Sequence, residues 1–424
     1  MNIMVVGGGG REHAIIKKLR ENPEITAIYC LPGNGGIAAD AECVPIASTD
    51  IEAIAGFAGS HSIDFAVVAQ DDPLALGCVD RLHALGIPCF GPEAKAARIE
   101  SSKVFAKELM KKYGIPTADY AAFSAPEEAL NYLAGARYPL VVKADGLALG
   151  KGVLICPDEA AARAAIEEIM TRRAFGDAGN QVVIERFLTG PEVSVLAFTD
   201  GKTLYPMVSS MDHKRAGDGD TGLNTGGMGT VAPNPCYTGD IAQECMEKIF
   251  LPTIRAMEQE GCPFRGCLYF GLMLTAEGPK VIEYNCRFGD PETQVVLPLL
   301  KTDLLTIMRA VESETLSQLH VEWHSGAAAC VILASGGYPL AYEKGKTITL
   351  PASLPKNVTI YHAGDRLENG ALVTSGGRVL GVSAVGETLR EALDSAYAAA
   401  REIHFEGAFC RSDIGQRALA AIEG

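Results

Sequence analysis

The sequence predicts a multidomain α/β and α+β chain that opens on a doubly wound parallel sheet. Three observations carry this. At 424 residues the chain is too long for one core, because single cores stop growing near roughly 250 to 300 residues. Its first hundred residues alternate apolar runs with helix-like stretches. Beyond Pro191 the rhythm changes to strands joined by Asp200-Gly201 and Glu277-Gly278, dipeptides suited to tight hairpins. A hydrophobic fraction of 48%, with 21% charged residues and a single Trp, fits an alanine- and glycine-rich protein of this class. A net charge of -15 excludes duplex nucleic acid and anionic lipid as main partners, since both would repel it.

The parallel sheet is expected to start with a strand at 3–6 that runs into glycines, followed by a helix over about 11–20. Strands at 27–30 and 65–69, a helix near 79–85 and a short strand at 88–90 continue the alternation. Ligands of such sheets lie beyond the carboxyl ends of the strands. Those ends carry Gly7-Gly8-Gly9-Gly10-Arg11-Glu12-His13, Pro32-Gly33-Asn34 and Gln70-Asp71-Asp72-Pro73-Leu74.

A helix over about 102–113 places Val104, Phe105, Leu109 and Tyr113 on one stripe and stops at Gly114 and Pro116. Next come a strand at 140–143, the loop Ala144-Asp145-Gly146-Leu147-Ala148-Leu149-Gly150-Lys151-Gly152, a strand at 153–155, a helix over about 158–172 and a strand at 181–185. Between the two hairpins, Asp212-His213-Lys214-Arg215 leads into a polar stretch ending Asn224-Thr225-Gly226-Gly227-Met228-Gly229. So long a loop is expected to be a functional lid or disordered. From about 326 a strand-rich unit follows, with strands at 327–333, 359–362 and 378–383 and a helix over about 389–403.

No basic leader, cleavage-type segment or membrane-length apolar run is evident, so a cytoplasmic protein is expected. The 12 Cys show no C-x-x-C pair, which points to reduced core thiols rather than zinc ligands. None of the 8 His falls in a metal-ligand spacing, and no G-x-S-x-G elbow is present. A ligase that activates a carboxylate by phosphorylation needs no such nucleophile, because phosphoryl transfer depends on positioning and charge neutralisation.

The chemistry is concentrated in Glu283-Tyr284-Asn285-Cys286-Arg287, at the end of an apolar strand. Alternation sends Glu283 and Asn285 to one face and Ile282 and Tyr284 to the other. Two hard oxygen donors with a guanidinium just beyond suit a magnesium nucleotide. Standing alone, a Glu-x-Asn is more often a solvated strand edge. The glycines around Lys151 could clamp a phosphate or form a flexible turn; their spacing is not that of a Walker A motif. Glu185-Arg186-Phe187-Leu188 ends a strand where the chain crosses between subdomains, a place where free backbone groups could take an adenine edge and Glu192 a ribose. At the amino terminus, Gly7-x-Gly9 lacks the third glycine of a dinucleotide fingerprint, and Cys30-Leu31-Pro32 stands where its acid would be. A nicotinamide or flavin role is therefore disfavoured, whereas a phosphate near Arg11 is reasonable.

With these residues in place, the chain resembles the phosphoribosylamine-glycine ligase family of the ATP-grasp superfamily along essentially its whole length. The likeness rests on Gly9-Gly10-Arg11-Glu12-His13-Ala14, Pro32-Gly33-Asn34, Lys143-Ala144-Asp145-Gly146, Asp212-His213-Lys214-Arg215, Asn224-Thr225-Gly226-Gly227-Met228-Gly229 and Arg287-Phe288-Gly289-Asp290-Pro291-Glu292-Thr293-Gln294. It implies an amino-terminal phosphoribosylamine-binding domain over 1–101 and a central ATP-grasp fold over 102–325 with a mobile lid at about 122–190. A small carboxy-terminal domain over 326–424 would complete the chain. It also implies ATP-dependent joining of glycine to 5-phosphoribosylamine through glycyl phosphate, in purine biosynthesis.

The same likeness assigns roles. Lys103, Lys143, Gly146, Gly150, Lys151 and Gly152 would meet the ATP phosphates, Glu185, Arg186, Phe187 and Leu188 the adenine, and Glu192 the ribose. Glu283 and Asn285 would hold Mg2+ or Mn2+. Arg287, Lys143, Asp212 and Lys214 would be catalytic. Gly9, Gly10, Arg11, Glu12, Asn34, Asp71, Gly226, Gly227, Asp290 and Glu292 would bind the other substrates. Small molecules are the expected partners, with no nucleic acid or membrane, for a monomer or weak dimer.

Two departures from the family pattern stand out. Ala69-Gln70-Asp71-Asp72 replaces Gly-Pro-Glu-x, and Gly8 stands where Asn or Ser is usual. The strand before Glu283 reads Gly271-Leu272-Met273-Leu274, without the carboxylate many ATP-grasp relatives carry there. The rival readings are another ATP-grasp carboxylate-amine ligase, a biotin-carboxylase-like enzyme, and a non-catalytic nucleotide sensor.

Overall fold

Strands β1 (Asn2–Gly7), β2 (Ala27–Pro32), β3 (Glu42–Cys43), β4 (Phe65–Val68) and β5 (Cys89–Phe90) pair in parallel in the order β3-β2-β1-β4-β5. The computed structural model describes residues 1–148 and 152–423. The order of this sheet reverses between β1 and β4, so the crevice at their carboxyl ends is the natural ligand position. Gly7 to Gly10 and Gln70-Asp71 flank it. The helix Ile51–Ser60, capped by Asp50, was not foreseen in the sequence; Gly56 and Gly59 dilute its helical signal.

The helix Lys103–Tyr113 is capped by the Ser102 hydroxyl, which accepts from the Phe105 amide. Its buried face is Ala106, Lys107, Leu109 and Met110. This corrects the expected stripe, because Phe105 is only partly covered, with Arg98 stacked 4.5 Å from its ring centre. Strands β6 (Tyr120–Phe123), β7 (Leu140–Ala144), β8 (Val153–Cys156) and β9 (Val182–Arg186) form a separate antiparallel sheet in the order β6-β9-β7-β8. The helix expected over 158–172 is α-helical over Glu159–Ile166 and continues as a π-turn, Glu167–Thr171. This unit has its own core, including Leu140, Val142, Ala162, Ile166, Val182 and Ile184. A body with a private core can move as a unit, which suits a lid.

After this unit come β10 (Glu192–Thr199), β11 (Leu204–Pro206), β12 (Met211–Asp212), β13 (Arg215–Gly217), β14 (Thr221–Asn224), β15 (Gly229–Ala232), β16 (Gly266–Thr275) and β17 (Gly278–Asn285). The sheet β11-β10-β16-β17 floors the central region. Segment 212–229, expected as a long loop that is a functional lid or disordered, carries the β13/β14 hairpin. The turn Asp218-Gly219-Asp220, with Gly219 at φ +66, closes that hairpin. The carboxy-terminal part supplies β18 (Ala327–Ala334), β19 (Val358–His362), β20 (Asp365–Glu368), β21 (Ala371–Thr374) and β22 (Arg378–Gly386), with the helix Leu389–Ala400 packed on β18 and β22.

One sheet, β12-β15-β18-β22-β19, joins strands from both sides of residue 326. Two large cores likewise run across the expected divisions; one combines Ile3 and Val67 with Leu300, Ala328 and Cys330. Among the described residues no helix is long and apolar enough to cross a membrane. All twelve cysteines are free.

Buried His213 links these segments. Its Nδ1–H donates to the Gly229 carbonyl at 3.1 Å, and its Nε2 accepts from the Gly415 amide at 3.1 Å. Burial first, then Arg417 and Arg411, hold its pKa down to about 4. The native state therefore keeps this ring neutral, while the unfolded chain protonates it near 6.5. The stability tied to the neutral ring is fully present above about pH 6.5 and is lost as pH falls toward about 4, by up to about 3 kcal/mol. Denaturant midpoints measured from pH 7 to pH 5 are expected to fall more steeply in the native protein than in His213→Asn. Parallel curves would refute this.

Candidate active site

A cleft of about 550 Å³ opens where the amino-terminal sheet, the β6-β9-β7-β8 unit, the central sheet and the carboxy-terminal segment meet. A second hollow of about 300 Å³ adjoins it beside that unit. β17 brings Glu283 and Asn285 to the first of these. Its register with β16 slips between Gly271 and Leu272. This bulge corrects the expected facing of Ile282: it turns toward the hollow and packs with Ala118, Leu188 and Met273 in an apolar patch. Tyr284 points into the core, its hydroxyl paired with Thr253 Oγ1 at 2.9 Å. A side-chain carbon on Gly271 would come within 2.8 Å of Glu283 Cγ. The missing carboxylate on the preceding strand thus has a steric reason: any side chain there would displace Glu283.

Four lysines gather around these oxygens. Lys214 Nζ stands 3.3 Å from Glu283 Oε1 and 3.4 Å from Glu192 Oε2. Lys143 donates to the Ile282 carbonyl at 2.9 Å and pairs with Glu185 Oε1 at 3.0 Å. Lys107 pairs with the other Glu185 oxygen at 3.1 Å, and Lys103 donates to the Gly146 carbonyl at 2.8 Å. Lys214 above all, with Lys143 and Lys103, lowers the Glu283 pKa to about 2 against the opposing effect of burial. Glu283 is therefore ionised at every working pH, and with the Asn285 carboxamide it offers the hard donors a divalent ion takes. The donor set fits such an ion when polyphosphate and water supply the remaining ligands.

The sequence-predicted residues are distributed as follows. Gly146, Gly152, Asp212, Gly226, Asp290 and Glu292 line the first cleft together with Arg11, Asp71 and Arg287. Arg186, Phe187, Leu188 and Glu192 line the second hollow. Gly150 and Lys151 lie outside the described residues. Glu185, expected at an adenine edge, is buried and neutralises Lys107 and Lys143, so its carboxylate serves the lysines.

At the amino terminus, four of the expected substrate-binding residues brace loops. Glu12 is fully buried; it accepts from the Gly9 amide at 2.5 Å and pairs with Arg11 at 2.8 Å. Asn34 donates to the carbonyls of Gly8 and His362 at 3.0 and 2.9 Å, which engages both of its amide hydrogens, and accepts from the Ile37 amide. Gly9 and Gly10 close onto Asp290 and Gln294. Asp71 keeps a lowered pKa: burial works to raise it, and Arg287 and Arg11 outweigh that. Arg287 pairs with buried Glu100 at 2.9 Å. Asp212 has its pKa raised by burial and by Glu292.

Sequence reasoning missed Glu100, Lys107, Tyr269, Tyr338 and Arg378, all in the lining. Lys107 lies four residues after Lys103, a spacing that signals one helix face. The other four carry no local signal.

Three family models match the chain: Phosphoribosylglycinamide synthetase N domain over residues 1–100, ATP-grasp (A) domain over 101–293 and C domain over 328–417. A phosphoribosylamine–glycine ligase of Caldanaerobacter subterraneus is 48% identical over 98% of this chain and 99% of its own length. One from Rhizobium meliloti is 46% identical over 99% of each. The crystal structure of a phosphoribosylamine–glycine ligase from Thermotoga maritima superposes with a TM-score of 0.87 at 36% identity, over 98% of this chain and 100% of that one. The biotin carboxylase domain of a Hydrogenobacter thermophilus 2-oxoglutarate carboxylase reaches a TM-score of 0.74 at 16% identity, over 96% and 91%, a likeness of fold.

Proposed function

The chain belongs to the phosphoribosylglycinamide synthetase family, and from that premise we propose that it joins glycine to 5-phosphoribosylamine at the expense of ATP, giving glycinamide ribonucleotide, ADP and phosphate. It acts on small molecules, as a monomer or weak dimer, in cytoplasmic purine synthesis. The observation that carries this reading is the convergence of Lys103, Lys143 and Lys214 on the Glu283 and Asn285 face of the cleft, next to Arg287.

Adenine would lie in the slot of Phe187, Leu188, Met273 and Ile282, with Glu192 toward the ribose. Lys103 and Lys143 would neutralise the phosphate tail, and Glu283 and Asn285 would hold magnesium or manganese against it. When bound, the ion supplies charge neutralisation along the polyphosphate. Arg287 would stabilise the phosphoryl group as the glycine carboxylate attacks in line. Its guanidinium is held ready by Glu100 and Asp71. The amine of phosphoribosylamine would then capture glycyl phosphate, with Arg11 and Asp71 at the amino-terminal end of the cleft placing the sugar. Closure of the lid would keep water away during this interval.

Family membership separates this reading from a biotin carboxylase, whose likeness extends to the fold alone. The direct test is omission of glycine with ATP, magnesium and phosphoribosylamine present: ADP release is expected to stop. Continued ADP release would sink the assignment.

A further inference from the structure

Tyr338 and Arg378 line the cleft from the carboxy-terminal segment, and the ligase reading above gives them no task. We propose that Arg378, acting with Tyr338 on Gly226, is a positioning residue that holds segment 224–229 as a fixed, water-excluding wall at the acceptor end of the cleft. Glycyl phosphate is then captured by the amine rather than by water. The inference rests on the ligase reading and adds the device that protects its intermediate.

Arg378 opens β22, and its Nη1 donates to the carbonyls of Gly226 at 2.7 Å and Asp290 at 2.8 Å, with Gly227 at 3.4 Å. The same nitrogen stands 3.4 Å from Asp290 Oδ1. One guanidinium thus sews the glycine-rich segment to the loop that carries Asp290 and Glu292. It lies against the α-carbon of Gly226, where a side-chain carbon would meet Cζ at 2.8 Å and Nη2 at 2.9 Å. Only a residue without a side chain permits that approach. The Tyr338 hydroxyl accepts from the Gly226 amide at 3.0 Å. Both polar backbone groups of Gly226 are therefore held from the carboxy-terminal segment.

The β13/β14 hairpin that leads into this segment is tied as well. Arg411, only 2% exposed, donates to the Arg215 carbonyl at 3.1 Å and to Asp220 at 2.9 Å. Asp413 accepts from the Gly219 amide at 2.8 Å. With Gly226 and the hairpin before it both tied to the carboxy-terminal segment, closure falls to the lid, which has its own core. If the wall loosens, a water oxygen attacks the carbonyl carbon of glycyl phosphate and the bond from that carbon to the phosphoryl oxygen breaks. Glycine and phosphate leave, with the proton of the water passing to phosphate, and one ATP is consumed without product.

The test is the ratio of ADP released to glycinamide ribonucleotide formed at saturating substrates. In the native enzyme it is one, by the stoichiometry of the reaction. In Arg378→Ala the ratio is expected to rise at least about threefold, with the KM for ATP within about twofold of native, because solvent reaches the intermediate while the nucleotide end is untouched. Arg378→Lys should restore coupling in part, since one ammonium donor replaces the fork. Tyr338→Phe should show a smaller rise and is the second probe if Arg378→Ala does not fold. General damage lowers ADP and product together and leaves the ratio at one. A ratio of one in Arg378→Ala, or in both Arg378→Lys and Tyr338→Phe, overturns the proposal. ADP release by the native enzyme without glycine would instead overturn the ligase reading.

Discussion

Replacing Glu283 by Gln is expected to lower turnover about 1,000-fold or more while leaving the fold intact, since removing one preorganised charge from a phosphoryl-transfer site costs on that scale. The substitution keeps size and shape and removes only the negative charge. That charge is what the neighbourhood is built around: Lys214 stands 3.3 Å away, and Lys143 and Lys103 add to the same field. With Gln in place, the lysines repel a divalent ion from the remaining donor, Asn285. Asp would fall short by one methylene and is expected to recover little. Product formation at saturating magnesium checks this, and near-native turnover would remove Glu283 from the proposed metal ligands. Because the Glu283 pKa lies at about 2, its carboxylate is charged above that pH. It should contribute no acid limb near pH 4.5 to the rate profile.

Arg287 should show a comparable loss with a second signature. Removing a guanidinium that stabilises a transferring phosphoryl group typically costs about 10³ to 10⁵ in rate. In addition, Arg287→Met strands Glu100, which is buried and has its pKa raised chiefly by burial despite the arginine. Leaving one partner of a buried pair uncompensated costs about 3 to 5 kcal/mol. The double variant Arg287→Met with Glu100→Gln is expected to regain most of that stability and none of the turnover. Melting curves and single-turnover ADP formation read the two effects separately. Recovery of activity in the double variant would show that Arg287 serves only to pair Glu100.

How much of this was legible in the sequence follows from the range of each interaction. The strand-turn grammar of 2–7, 140–144 and 278–285 is local, and so are the alternation that pairs Glu283 with Asn285 and the Asp-Gly turn signal inside 215–224. The Ile282 bulge was not readable, because it depends on the register between two strands. The bracing contacts of Glu185 and Asn34 depend on partners far along the chain, Lys107 and Lys143 for the first and His362 for the second, whereas those of Glu12 come from its neighbours Gly9 and Arg11. Glu100, Tyr338 and Arg378 reach the cleft only through tertiary packing, from positions whose neighbours in sequence carry no chemical hint. Similarity along the chain carried what spacing could not, above all the choice of glycine as the acid.

The sheet that threads β15 beside β18 has a practical corollary for handling this protein. A protease nick between Gln318 and Ala327 would sever the peptide but not the β15/β18 ladder, so the two fragments should copurify and melt together. Expressing 326–424 alone would leave β18 with a bare edge where β15 belongs, an invitation to self-association. Gene truncations that respect the apparent boundary at 326 are therefore expected to aggregate, and two-plasmid complementation is the better route to dissecting the halves.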